Sequence, residues 1–235
     1  MTRKEAIKFL IIRSIGNFLL LFAIYGVIAT FGPAIYFEIN YKIIQTRGIR
    51  YEVVEDITSP LGKLLAEKKG QTQPGGFGNV LTGSTKQILI PYDTNFSLLI
   101  PKIGANARVI PNVDSTNEEA FLPVLKEGVA HAAGTVFPGG EGNTYLFAHS
   151  TDNFWDVGRY NAIFYLLKDL SVGDDIVVFY QGTRYNYKVS ETRIVDAEDV
   201  SFITGAQGGE EQLILQTCWP PGTTWKRLLV FAAPK

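Results

Sequence analysis

The sequence predicts a mainly β domain, a single closed or nearly closed barrel of seven or eight short strands, carried behind one N-terminal transmembrane helix. From Ile88 to Lys235 short apolar runs alternate with Gly, Pro, Asn and Asp, the pattern of strands joined by tight turns. Seven or eight such runs in about 145 residues suit one barrel rather than two domains. Residues 14–37 hold no Asp, Glu, Lys or Arg across 24 positions. At helical rise that stretch spans roughly 36 Å, enough for a hydrocarbon core of about 30 Å.

Arg3, Lys4, Lys8 and Arg13 precede the apolar span, opposed only by Glu5. By the positive-inside rule residues 1–13 form a cytoplasmic basic tail, 14–37 the anchor, and everything beyond lies outside the cell. Lys42, Arg47 and Arg50 on the outer flank weigh the other way. A cleaved signal would need a shorter apolar core and a small-x-small site after it, and no such site follows the run. Pro33 marks the point where the helix leaves the bilayer.

Residues 38–87 are expected to link anchor to barrel. Ile39, Ile43 and Ile44 suit a continuation of the helix, while Val53, Val54 and Ile57 fit a short strand or a short helix equally. The Gly-rich stretches 68–79 and 82–85 read as flexible linker. The barrel then occupies 88–235, with strands expected at 96–100, 107–110, 144–149, 175–180, 183–190, 212–217 and 228–232. Gln181-Gly182 joins two of them as a tight hairpin. Helices are expected at 118–125 and 162–170, the latter with Phe164, Leu167 and Leu170 on one face and Gly173 just beyond.

The chain carries 22 basic and 23 acidic side chains, a formal charge of -1, and no basic stripe of the kind nucleic-acid binding needs. Its one cysteine, Cys218, cannot form an internal disulfide or supply a structural zinc site. It is therefore a packing thiol or a nucleophile. Cys218 ends the run Gln212-Leu213-Ile214-Leu215-Gln216-Thr217, and Arg227 opens the next run nine positions on. If the two strands are antiparallel neighbours, thiol and guanidinium share one rim, where the cation favours thiolate and can hold an oxyanion. There are two histidines, His131 and His149; His149 ends the run Thr144-Tyr145-Leu146-Phe147-Ala148. Cys, His and Arg at strand ends are the parts of covalent acyl transfer. No metal signature or cofactor motif appears: Asp114, Glu118, Glu119 and Glu141 are dispersed.

From Leu98 to Lys235 the sequence resembles the sortases, membrane-anchored cysteine transpeptidases of the bacterial surface. The family motif Thr-Leu-x-Thr-Cys, with Arg nine residues on, is matched by Ile214-Leu215-Gln216-Thr217-Cys218 and Arg227. Leu99-Ile100-Pro101-Lys102-Ile103-Gly104-Ala105-Asn106-Ala107 resembles the family's opening segment. Gly128-Val129-Ala130-His131, Pro138-Gly139-Gly140-Glu141-Gly142-Asn143 and Ala148-His149-Ser150 follow in the family's order, and Leu167-Lys168-Asp169-Leu170-Ser171-Val172-Gly173-Asp174 matches its Leu-x-x-Leu-x-x-Gly-Asp segment. Ile214 stands for the motif's first Thr, and Ala148 for the Gly that usually precedes the histidine.

The resemblance implies an eight-stranded β-barrel with short helices. It implies that Cys218 attacks a Thr–Gly type bond in a sorting signal, that His149 serves the leaving and incoming amines, and that Arg227 holds the oxyanion. Thr217 and Arg227 are expected at the substrate. His131 falls in a recurring family segment and is read as structural. The implied partners are secreted surface proteins with a C-terminal Leu-Pro-x-Thr-Gly-like signal and an amine acceptor, either a cell-wall precursor or a pilin-type lysine. Two other readings stand beside it: a Cys–His protease on the same barrel, and a catalytically silent adhesion or assembly barrel.

Overall fold

Period-two alternation along the strands separates two apolar layers, one inside a barrel and one on its outer wall. The structure, a computed structural model, describes residues 3–54, 86–150 and 162–235. The Gly-rich linker stretches at 68–79 and 82–85 lie outside the described residues, as does Ile57. Helix α1 (Arg3–Thr46) is followed by β1 (Arg50–Val53), β2 (Lys86–Leu89), β3 (Phe96–Ile100), β4 (Ala105–Val113), α2 (Glu118–Glu127), β5 (Val129–Ala132) and β6 (Asn143–Phe147). A 3-10 segment (Ala162–Asp169) leads into β7 (Asp175–Tyr180), β8 (Thr183–Asp196), the one-turn helix α3 (Ser201–Thr204), β9 (Gln212–Trp219) and β10 (Lys226–Pro234).

Eight strands close in the order β10-β8-β7-β3-β4-β5-β6-β9, and β1 and β2 form a separate parallel pair. Leu98, Ile100, Val109, Leu146, Val178, Leu213, Leu215 and Val230 point into the barrel. Phe164, Leu167 and Leu170 of the 3-10 segment join the same cluster, so the predicted apolar stripe is present on a tighter helix than an α-helical reading gives. The outer layer over β5, β6, β9 and β10 gathers Ala130, Tyr145, Phe147, Ile214, Leu229 and Phe231 beneath Leu125 of α2, with Phe202 and Ile203 of α3 packed against it. On the far wall Leu99, Val177 and Phe179 are covered by Leu89, Tyr51 and Val53 of the small sheet. That cover explains why β3 is buried along its whole length.

α1 does not end at Pro33. It continues to Thr46, and its last turns bury Ile44 against Ile49, with Ile43 and Tyr51 packed alongside. An interior proline costs a helix about 3 kcal/mol, and this apolar docking holds the turns beyond it. Residues Arg3–Ala29 are long and apolar enough to cross a membrane, with none of that stretch buried. Val53 ends β1, and Val54 follows just outside it, its N–H donating to the Leu89 carbonyl at 3.2 Å.

Candidate active site

β9 and β10 are antiparallel neighbours in a register that sets Cys218 directly opposite Arg227. The apolar runs on both sides dictate this pairing: Leu213 and Leu215 face the barrel interior with Leu228 and Val230, and Ile214 faces outward with Leu229 and Phe231. Cys218 and Arg227 have the outward parity. On its other flank β9 pairs in parallel with β6, from Asn143–Gln212 to Phe147–Gln216. Two residues beyond that last pair come Cys218 on β9 and His149, in the segment that follows β6; by sequence, His149 shares the odd parity of the outward Tyr145 and Phe147. The outer wall thus carries Cys218 on β9 opposite Arg227 on β10, and His149 follows two residues after neighbouring β6 ends at Phe147.

The junction between β6 and β9 is pinned beyond the ladder. The Ala148 N–H donates to the Gln216 carbonyl at 3.2 Å, and the Thr217 hydroxyl donates to the Ala148 carbonyl at 3.0 Å. Thr217 is buried, 2% exposed, with the inward parity of Leu213 and Leu215. Its hydroxyl holds the backbone of the residue before His149. One row below the thiol, the Tyr145 hydroxyl donates to Gln216 Oε1 at 2.6 Å, a cross-strand link that the sequence reading missed. An outward Tyr and an outward polar residue on neighbouring runs were its only signal.

Burial raises the Cys218 thiol above its ordinary value of 9.0, and the nearby Arg227 charge offsets this only in part. Burial, with a smaller contribution from Lys126, holds His149 below 6.5. Thiol and imidazole are therefore both neutral at rest near pH 7. Arg227 Nη1 donates to the carbonyls of Thr224 at 2.9 Å and Lys226 at 3.1 Å, which fixes the guanidinium against its own loop. Among the described residues it forms no ion pair, so its remaining donors can meet an oxyanion. Among them, too, no three His, Cys, Asp or Glu side chains gather closely enough to hold a metal ion.

His131 lies elsewhere. It is 0% exposed and faces the interior, stacked on Phe137 at 4.5 Å. Its Nδ1 accepts the Asn112 N–H at 3.3 Å, which leaves the proton on Nε2 to reach the Val136 carbonyl at 3.0 Å. Both nitrogens are engaged away from the thiol.

A family model described as a sortase domain matches residues 98–235. Sortase D of Bacillus subtilis (strain 168) is 28% identical over 172 residues, covering 71% of this chain and 78% of its own length. The crystal structure of sortase C-1 from Actinomyces oris shares 26% identity, covers 61% of this chain and 75% of that one, and has a TM-score of 0.50. The structure of Clostridium perfringens sortase C with the C-terminal cell wall sorting motif has the same TM-score at 21% identity, over 64% of this chain and 79% of its own, a likeness of fold.

Proposed function

This chain belongs to the sortase family, whose general activity is transpeptidation, and on that premise we propose that it is a membrane-anchored cysteine transpeptidase working through Cys218, His149 and Arg227. The observation that carries the reading is the placement of the lone thiol opposite Arg227, with His149 following the end of neighbouring β6. The Cys218 proton passes to His149 as sulfur attacks the carbonyl of the sorting signal. Arg227 holds the oxyanion. The C–N bond then breaks, His149 returns the proton to the leaving amine, and an acyl thioester remains on Cys218. An incoming amine gives its proton to His149 and attacks the thioester carbonyl; the C–S bond breaks and His149 returns the proton to the Cys218 sulfur. Thr217 serves by holding the Ala148 carbonyl, so that the imidazole stays beside the sulfur.

The donor is a secreted surface protein with a C-terminal Leu-Pro-x-Thr-Gly-like signal, and the acceptor a cell-wall precursor or pilin-type lysine. The basic N-terminal flank sets the tail in the cytoplasm and the barrel outside. The apolar helix and family membership support the anchoring itself.

The test is product analysis with a sorting peptide, with and without an amine. Wild type is expected to form the amide with the amine, and Cys218→Ala, still folded, to form neither amide nor acid. Hydrolysis indifferent to added amine would favour a protease, and transfer by the alanine variant would end the thioester mechanism.

A further inference from the structure

We propose that Glu38 and Lys168 are positioning residues: they lock the barrel onto the end of the anchor helix, so that the catalytic wall keeps one bearing to the bilayer and favours donors held in the same membrane. The proposal rests on the transpeptidase reading above. α1 is 44 residues long, about 66 Å at helical rise and twice a hydrocarbon core of about 30 Å. Its outer turns therefore stand clear of the bilayer as a stem, and that stem is docked.

Glu38 accepts a hydrogen bond from Lys168 of the 3-10 segment at 3.1 Å, and the two side chains are only 33% and 22% exposed. Lys168 is itself oriented by Asp169 at 2.8 Å. Farther along, Gln45 Nε2 donates to the Lys102 carbonyl at 3.5 Å. Ile44 and Ile49 then bury against Tyr51, and Tyr51 packs on the wall that holds Leu99 and Val177. Arg184 of β8 closes the series on the Val54 carbonyl at 2.9 Å.

The docked wall centres on β3. In the closed order, β4, β5 and β6 separate β3 from β9 one way round, and β7, β8 and β10 the other. The small sheet at the end of the stem is therefore fastened to the side opposite Cys218, while Lys168 fastens the stem to the 3-10 segment that packs into the barrel core against β4, β9 and β10. A barrel on a slack tether would sample every bearing. One fastened in this way presents His149, Cys218 and Arg227 at one bearing over the membrane, toward neighbours in the same leaflet.

The full chain is reconstituted in phosphatidylcholine–phosphatidylglycerol vesicles. Carbodiimide, a zero-length coupler, is expected to join Glu38 to Lys168 in the chain carrying Asp169→Asn, which removes the competing carboxylate 2.8 Å from the same amine. Turnover is then compared for a soluble Leu-Pro-Glu-Thr-Gly peptide and for the same peptide fused to an apolar helix in the same vesicle. Glu38→Lys and Lys168→Glu are each expected to slow the helix-borne donor about fivefold, the scale of one half-buried ion pair, and to leave the soluble peptide at wild-type rate. Glu38→Lys combined with Lys168→Glu is expected to restore the helix-borne donor to near wild-type rate. Absence of the Glu38–Lys168 cross-link overturns the proposal, as does equal slowing of the two donors or a double reversal that fails to rescue. If wild type turns over neither donor, the transpeptidase reading fails instead, and the cross-link still decides whether the stem is docked.

Discussion

Cys218 rests as a thiol, because burial outweighs the Arg227 charge. Its alkylation by iodoacetamide is expected to keep accelerating as pH rises past 9.0. Arg227→Gln removes the offsetting charge, so the same curve moves to still higher pH, and acylation is expected to fall by about 10²–10³ under the proposed oxyanion role. A rate already flat at neutral pH would show a preformed thiolate and contradict this account. Thr217→Val keeps the shape and deletes the hydroxyl, leaving the buried Ala148 carbonyl short of a partner. The expected cost is about 1–3 kcal/mol of stability, with slower acylation because His149 is freed; chemical denaturation and single-turnover kinetics read the two. Cys218 and Arg227 were legible as a pair from two apolar runs and the turn between them. The inward turn of Thr217 was legible too, since it shares odd parity with Leu213 and Leu215, but a motif reading hides parity.

At the scale of elements, the site depends on a parallel register between two strands far apart in sequence. That register is set where β6 and β9 begin. The Asn143 N–H donates to the Ala206 carbonyl at 2.7 Å, and the Gln212 N–H to the Gly142 carbonyl at 3.0 Å. Gly142 has φ +126°, and a Cβ there would collide with the Ala206 carbonyl. Gly142→Ala is therefore expected to destabilise the barrel by about 1–3 kcal/mol and to depress activity by displacing His149 from Cys218; a variant melting like wild type would remove this anchor from the account. Strands 96–100 and 175–180 were legible to the residue from their runs. β5 was not, because Val129–Ala132 is four residues long, buried on both faces, and shows no alternation. β8 runs on to Asp196 through polar residues that pair with β10, so hydropathy alone cut it short at 190. The β1–β2 pair joins segments separated by the linker, and such a pairing leaves no local signature.

For the whole molecule, stability is tied to a histidine outside chemistry. Burial holds His131 below 6.5, so the unfolded chain takes up a proton that the native fold refuses. Stability is complete above 6.5 and falls as pH drops below it; His149, also held low, adds to the trend. His131→Gln is expected to melt lower near pH 7 yet show a flatter melting-temperature profile between about pH 7 and 5. An unchanged slope would mean that other groups govern acid sensitivity. The sequence and the family resemblance already single out His149 over His131; what the assembled barrel adds is that His131 is fully buried and stacked on Phe137. Closure also decides how a donor chain is read. β9 is flanked on both sides, by β6 and by β10, so this wall offers no vacant edge along those ladders for an extended polypeptide to join as another strand. Main-chain pairing is indifferent to side chains and would admit any extended segment. A donor chain of the proposed kind would instead be held by side chains and loops, so that discrimination would rest on the identity of its residues and not on its shape alone.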